Sequence, residues 1–191
     1  NINIAIIDQR LNKISEQIRD QAREELGITD ETRLKSLSFV FLTVRTVLDL
    51  TDEETFDCLT EGSGDFGVDA IHLSEECDQE IAVTLFQGKY MQNLEGNSNF
   101  PEDGISKLIR AIWALFDPST PLDYLNPRLS TKVEEIRSLI RDGYIPRIRA
   151  IACNNGKIWN DIASQEIQRA DLGDQAVFEH VNHERLVAIL Q

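Results

Sequence analysis

The chain of 191 residues is acidic, with 33 aspartates and glutamates against 19 lysines and arginines and a formal net charge of −14 at pH 7. Its 41% of hydrophobic and 27% of charged residues are typical of a globular protein with a substantial core. Apolar runs stay far below the roughly 20 residues of a membrane-spanning helix, and the net charge argues against a surface that binds nucleic acid by charge alone.

The beginning of the chain is predicted to form two helices. Apolar residues recur at intervals of three and four from Ile7 to Leu26, which predicts an amphipathic helix that ends near Gly27. A second helix is expected to begin around Asp30 or Thr32. Because the segment from Leu37 to Leu48 is apolar on nearly all sides, we expect this helix to lie buried against a sheet.

A short helix and a hairpin are predicted next. The sequence TDEE at Thr51 to Glu54 has the form of a capping box, so a third helix should begin there and end before Gly62. Two strand-like runs follow, at about Val68 to Leu73 and Glu80 to Gln87, separated by the polar sequence SEECDQ. This arrangement predicts an antiparallel hairpin.

The register of this hairpin groups polar residues at one end. If Asp69 faces Gln87, then Ile71 lies opposite Leu85, and side chains that alternate with a period of two share a face. The apolar residues then lie together on one face with Asp69, Gln87 and Lys89 at its open end. We interpret this polar end as a site.

The rest of the chain alternates between helices and strands, and this order predicts an α/β fold, a three-layer sandwich with a mixed central sheet and an N-terminal helical segment. We expect one domain over residues 1–191, mainly helical over 1–60 with an α/β core over 61–191, as part of a longer protein. Trp113 and Trp159 lie on helical apolar stripes and are predicted to be core residues. The predicted helices are Ile105 to Phe116, Val133 to Ile140, Ile158 to Ala170 and His183 to Leu190, and the strands lie in YIPRIRAIAC and AVFEHV.

The number and spacing of the cysteines and histidines argue against a zinc site and against a disulfide framework. Three cysteines without a C-x-x-C pair favour reduced thiols, and three histidines are few for a metal site. The N-terminal sequence NINIAIIDQRLNK does not resemble a secretory signal. We therefore expect a cytoplasmic protein.

The polar strand ends suit chemistry on a phosphate. Asp69 offers an anionic oxygen to Mg²⁺, the Gln87 amide offers a neutral oxygen, and the Gly88 carbonyl could lie near the same ion. Lys89 could orient a water or stabilise the charge that develops on an attacked phosphate. The set lacks a second carboxylate.

The residues from Gly62 to Tyr90, GSGDFGVDAI…VTLFQGKY, resemble the D…(E/Q)-x-K core of the PD-(D/E)XK nuclease superfamily, in the variant with Gln at the second position. They are similar to Mrr-like restriction endonuclease domains, in which a G-x-G-D-x-G-[IV]-D turn precedes a Q-x-K strand. The flanking sequence from FVFLTV onward and the later CNNG are similar to the N-terminal region of abortive-phage-resistance proteins of the AIPR type.

The resemblance implies a restriction-endonuclease-like fold and assigns roles within it. Asp69 would be the metal-binding aspartate, Gln87 the second position and Lys89 the catalytic lysine. Gly64 and Gly67 would shape the turn.

A further acid is expected to complete the metal site, and the sequence leaves its identity open. Families of this type often take it from a preceding helix, which leaves Glu54, Asp57 and Glu61 as candidates. Glu61 ranks first because it is nearest the turn, whereas Glu54 has a competing role in the capping box. Asp65 is expected to hold the loop, with a metal role as the alternative.

Two further cations follow the motif. Lys107 and Arg110 lie on a predicted helix and could reach phosphates, although a solvated helix face explains them as well. They are weak candidates for substrate binding.

These observations predict a Mg²⁺- or Mn²⁺-dependent endonuclease that acts on nucleic acid, with DNA as the expected substrate and defence against phage or foreign DNA as its setting. A homodimer is compatible with this interpretation, and further domains of the same chain are expected. The alternative is a nuclease-fold binding or assembly module that no longer cuts, because Gln87 removes one negative charge from the metal site.

Overall fold

The computed structural model describes residues 2–62, 64, 66–91, 102–156 and 161–190, with the backbone alone at 102 and 161. Within these ranges no helix is both long and apolar enough to cross a membrane. The described helices are α1 (Ile2–Leu26), α2 (Glu31–Leu48), α3 (Asp52–Cys58), α4 (Glu102–Phe116), α5 (Pro127–Arg141), α6 (Asp161–Ala170) and α7 (His183–Leu190), and the strands are β1 (Ala70–Glu75), β2 (Glu80–Lys89), β3 (Ile145–Asn154) and β4 (Ala176–Val181).

The four strands form one mixed, open sheet in the order β1-β2-β3-β4. Strands β1 and β2 are antiparallel, whereas β3 runs parallel to β2 and β4 runs parallel to β3. Ile71 pairs with Leu85 and Leu73 with Val83, so the predicted hairpin register is confirmed. The predicted α/β class with a mixed sheet is confirmed as well.

Helices cover both faces of the sheet. Residues of α4, α5 and α6 pack against the face that carries Ile71, Val83 and Leu85, which places these apolar residues on one side as predicted. Residues of α1, α2 and α7 pack against the other face, at Ala70 and Phe86. Alternation along each strand therefore serves two cores, because every second residue enters the opposite one.

The helices before the sheet follow their sequence signals closely. Helix α2 begins after Asp30, whose side chain accepts a hydrogen bond from the Arg33 backbone N–H at 3.0 Å. It lies against the sheet as predicted, with Val40 and its neighbours fully buried. In α3 the Thr51 side chain and the Glu54 side chain cap each other's backbone N–H groups, so the capping box is confirmed.

Helix α4 differs from the prediction on one side. Trp113 was expected in the core but is 50% exposed, and Phe116 is 41% exposed. Helix α4 buries the stripe of Ile105, Leu108 and Ile112, and Trp113 is rotated about 100° from Ile112 around the helix. The predicted core position of Trp113 was therefore wrong, because the sheet covers a narrower stripe than the apolar residues of α4 span.

Other predictions fall partly on undescribed residues. Trp159 and the start of the helix expected from Ile158 lie outside the described residues. The cysteines, Cys58, Cys77 and Cys153, are free thiols, as the sequence predicts.

Candidate functional site

A surface pocket lies at the carboxyl ends of β2 and β3, where Lys89 pairs with Asn154 in the parallel register. Three segments of the chain line it: the start of α2, the stretch around Glu61 before β1, and the end of β2. We call it the strand-end pocket. It is lined by Arg33, Ser36, Glu61, Gly62, Asp69, Gly88, Lys89, Tyr90 and Met91.

Asp69 is held by hydrogen bonds on both sides. Its backbone N–H donates to the Phe86 carbonyl at 2.8 Å, and its own carbonyl accepts from the Thr60 N–H at 2.9 Å. Its carboxylate Oδ2 accepts a hydrogen bond from the Gly88 N–H at 2.8 Å. The side chain is buried, and these contacts fix its carboxylate beside the end of β2.

Gly88 allows α2 to approach the strand. A Cβ at this position would lie 2.6 Å from Val40 Cγ2 of α2 and 3.9 Å from Asp69 Oδ2. Real Cβ atoms do not tolerate the first of these distances, because packed carbon atoms sit about 3.5–4.0 Å apart. The glycine of the Q-x-K strand is therefore a packing requirement of the pocket.

The pocket carboxylates also act on a buried thiol. Burial is the main cause that raises the pKa of Cys153, and the negative charges of Asp69 and Glu61 raise this pKa further. Cys153 is fully buried next to Gly88 and stays a protonated thiol. Asp69 and Glu61 are thus near enough to this sulfur for their charges to act on it.

Gln87 lies behind the pocket. It shares the α4 side of β2 with Leu85 by alternation, is 1% exposed, and its Nε2 is 3.1 Å from a Cβ built on Gly67. Within the described part of the chain, its Oε1 accepts no hydrogen bond. The predicted register is therefore correct, but the pocket contains Asp69 and Lys89 and does not contain the Gln87 side chain.

The structure places the acidic residues predicted to complete the metal site at different positions. Glu61 lines the pocket, whereas Glu54 and Asp57 on α3 do not. Glu54 accepts hydrogen bonds from Thr51, which lower the pKa of its carboxyl group, and Asp57 lies 3.6 Å from Lys132. Asp65 lies outside the described residues.

The two weak substrate candidates lie on α4, beside the turn and not in the pocket. Lys107 pairs with Asp103 at 3.6 Å, and its Cβ would be 2.6 Å from a side chain on Gly67, which has φ +77. Arg110 is exposed. Gly67 thus has two reasons to be glycine, its left-handed backbone and the close approach of α4.

Sequence reasoning missed the contribution of α2 to the pocket. Arg33 and Ser36 line it, yet they belong to a segment that was predicted as a buried packing helix. The available signal was their spacing of three on the polar side of the first turns, which places both on one helix face.

The residues present fit a hard divalent cation by donor type. The part of the chain that the structure describes holds no cluster of three or more His, Cys, Asp or Glu side chains suited to a metal. The pocket does bring together the carboxylates of Asp69 and Glu61 and the backbone of Gly88. Behind it lies the buried Gln87 amide oxygen, which accepts no hydrogen bond from the described residues. Oxygen donors of this kind suit Mg²⁺, with water or substrate oxygens in the remaining positions.

The fold and pocket define an α/β protein with a polar cleft at the carboxyl ends of parallel strands, where ligands commonly bind in open sheets. The chain matches no protein-family model, no curated protein and no solved structure. The resemblance of residues 62–90 to nucleases therefore stays a prediction from the sequence.

Proposed function

We propose that this chain is a divalent-metal-dependent endonuclease of the PD-(D/E)XK type, with a restriction-endonuclease-like fold, which hydrolyses phosphodiester bonds of DNA. The observation that supports it most is the meeting of Asp69 and Lys89 in one pocket, together with Glu61. Asp69 precedes β1 and Lys89 ends β2, and the antiparallel pairing of these two strands brings the two parts of the D…Q-x-K sequence side by side. Defence against phage or foreign DNA in the cytoplasm is the proposed setting.

Each pocket residue has a defined part in this proposal. Asp69 and Glu61 would hold the metal ion, and the Gly88 N–H keeps the Asp69 carboxylate oriented. The chemistry that Mg²⁺ or Mn²⁺ would supply there is a water of lowered pKa and a polarised phosphate oxygen. Lys89 forms no ion pair within the described residues, so its ammonium group is available to stabilise negative charge on the attacked phosphate.

A second candidate function is a nuclease-fold module that binds a partner without cutting. The observation that favours it is the donor set: a neutral amide at Gln87 stands where related sites have an acid, and the described lining of the pocket offers two carboxylates. Fewer negative ligands weaken the binding of a divalent cation. Metal binding and cleavage separate the two functions.

The decisive experiment compares cleavage of plasmid DNA and of single-stranded RNA in Mg²⁺ and in Mn²⁺. Asp69→Asn keeps an acceptor for the Gly88 N–H, and Lys89→Met keeps the length of the side chain without its charge. Asp57→Asn and Lys13→Met are the matched controls, since both residues lie outside the pocket. We expect cutting of DNA that both pocket variants abolish and both controls retain.

A parallel measurement follows unfolding in urea with and without metal. If the site binds the ion, a concentration one hundred times its Kd stabilises the fold by about 2.7 kcal/mol. Asp69→Asn should remove this shift and Asp57→Asn should keep it. Metal-dependent stabilisation without any cutting by the wild-type chain would favour the binding module, and cutting that survives both pocket variants would exclude the proposed site.

A further inference from the structure

The strand-end pocket has one wall that the D…Q-x-K pattern does not include. Arg33 and Ser36 project from the first two turns of α2, three residues apart on one helix face. The carboxylates of Glu61 and Asp69 line the same pocket from the sheet side. The pocket therefore combines an acidic lining from the sheet with a basic, hydrogen-bonding lining from the helix.

The position of this helix wall is set by Tyr90, the residue after Lys89. The Tyr90 ring lies 5.6 Å from the ring of Phe39 on α2, and the Lys35 ammonium lies 5.6 Å from the Tyr90 ring centroid. The Tyr90 hydroxyl donates a hydrogen bond to Asp8 of α1, which also pairs with Lys35 at 3.7 Å. The end of β2 is thus fastened to both N-terminal helices, and Arg33 of α2 and Lys89 of β2 line the same pocket.

Two of the described residues that line this pocket, Arg33 and Lys89, carry a positive charge. Within the described residues neither Arg33 nor Lys89 takes part in an ion pair, whereas the adjacent Lys35 is paired with Asp8. A chain with a net charge of −14 has an excess of carboxylates for pairing its cations. Within the described lining, Arg33 and Lys89 balance the carboxylates of Glu61 and Asp69, so the pocket is locally less negative than the chain as a whole.

The chemistry of the two side chains matches a phosphate group. A guanidinium donates two parallel hydrogen bonds to phosphate oxygens, and a serine hydroxyl donates a third. A carboxylate-lined surface without these groups would repel the same anion.

Resting on the proposed function, we infer that Arg33 and Ser36 bind a backbone phosphate of the DNA substrate. The N-terminal helices are then part of the substrate site as well as of the core. Arg33 and Ser36 would add a phosphate contact from α2 to the one proposed for Lys89.

The test is the binding of a short fluorescein-labelled duplex DNA to the full chain, followed by anisotropy in Ca²⁺ over a series of salt concentrations. Arg33→Ala should raise Kd about tenfold and make the slope of log K against log salt shallower by about one. Ser36→Ala should raise Kd about fivefold, as expected for one lost hydrogen bond. The Kd of Arg33→Lys should lie between those of wild type and Arg33→Ala, because lysine keeps the charge but cannot donate two parallel hydrogen bonds.

Arg10→Ala is the matched control, since Arg10 is an exposed arginine on α1 outside the pocket. Its Kd should stay within about twofold of wild type, as is usual for a surface charge distant from the ligand. Urea unfolding of every variant establishes that the fold is retained. Equal weakening by Arg33→Ala and Arg10→Ala, or no binding of DNA by the wild-type chain, would overturn the inference.

The same variants separate this inference from the proposed function. If the wild-type chain binds DNA but does not cut it, and Arg33→Ala weakens this binding, the nuclease proposal fails and the phosphate contact of Arg33 and Ser36 stands. If the wild-type chain cuts DNA and Arg33→Ala leaves Kd and KM unchanged, the phosphate contact of Arg33 is excluded and the nuclease proposal stands. A single-stranded RNA of the same sequence is measured in parallel, and an Arg33-dependent preference for it would overturn the assignment to DNA.

Discussion

The two ends of strand β2 differ in how their polar groups are satisfied. At the amino end, Glu80 accepts a hydrogen bond from the Arg147 guanidinium at 3.0 Å, so opposite charges from neighbouring strands neutralise each other. At the carboxyl end, Lys89 has no ion pair within the described residues, and the buried Gln87 Oε1 has no hydrogen-bond donor there. One strand thus ends in a stabilised surface at one side and in an incompletely satisfied cleft at the other.

This difference indicates where the fold gives up stability. An unsatisfied buried acceptor costs about 1–3 kcal/mol, and within the described residues the Gln87 Oε1 is such an acceptor. Local conflicts of this kind are expected at functional sites and are compensated elsewhere in a fold. The carboxyl end of β2 is therefore the place at which substitutions should separate stability from function.

The largest expected effect is the pH dependence of stability that arises from His180, near the carboxyl end of β4. Burial chiefly, and the charge of Arg185 in addition, lower the pKa of His180 from its ordinary value of 6.5 to about 4. The unfolded chain then binds the proton first, so stability is complete above pH 6.5 and is lost as the pH falls towards 4. In this window the His180 contribution falls by about 1.4 kcal/mol per pH unit.

The measurement is urea unfolding of wild type and His180→Gln at pH 7 and pH 5. Glutamine can keep the hydrogen bond with the Asn154 Oδ1, which His180 Nε2 contacts at 2.8 Å. The variant should lose less stability than wild type between the two pH values. Parallel losses would show that His180 does not titrate with a lowered pKa.

The next effect concerns Gly88 at the carboxyl end. Gly88→Ala would place a methyl group 2.6 Å from Val40 Cγ2 and should destabilise the fold by about 1–3 kcal/mol through overpacking. Val40→Ala removes the opposing methyl groups. The double variant should therefore be more stable than the sum of the single changes predicts, by at least about 0.5 kcal/mol in urea unfolding. Strict additivity would mean that α2 does not pack on Gly88 as described.

A smaller effect of opposite sign is expected at Gln87. Gln87→Met removes the amide whose Oε1 accepts no hydrogen bond within the described residues, and urea unfolding should show stability unchanged or raised by about 1 kcal/mol. Thr60→Val is the contrasting control, since the buried Thr60 hydroxyl donates to the Val68 carbonyl at 2.7 Å and its removal should destabilise. A clear loss of stability in Gln87→Met would show that the amide has a structural partner.

The smallest effect is expected at the amino end of β2. Arg147 and Glu80 are both partly exposed, so breaking their pair by Arg147→Ala should cost less than about 1 kcal/mol and less still at high salt. A double-mutant cycle with Glu80→Ala, measured by urea unfolding, isolates the pair. A coupling larger than that of Gly88 with Val40 would reverse the comparison between the two ends.

The sequence by itself determined the elements and the hairpin. Strands repeat every two residues and helices every three or four, so both patterns can be recognised from residues close together in the sequence. Pairing Asp69 with Gln87 then determines every other pair in the hairpin. The capping box of Thr51 and Glu54 was also predictable, because its partners are three residues apart. Local geometry is sufficient for such features.

Only the tertiary structure decided which side chains reach the strand-end pocket. Arg33 enters it because α2 packs on Gly88 and Tyr90, more than fifty residues later in the chain. The exposure of Trp113 likewise depends on how much of α4 the sheet covers. These outcomes arise from contacts between distant segments, and a pattern read along one segment does not contain the packing that sets them.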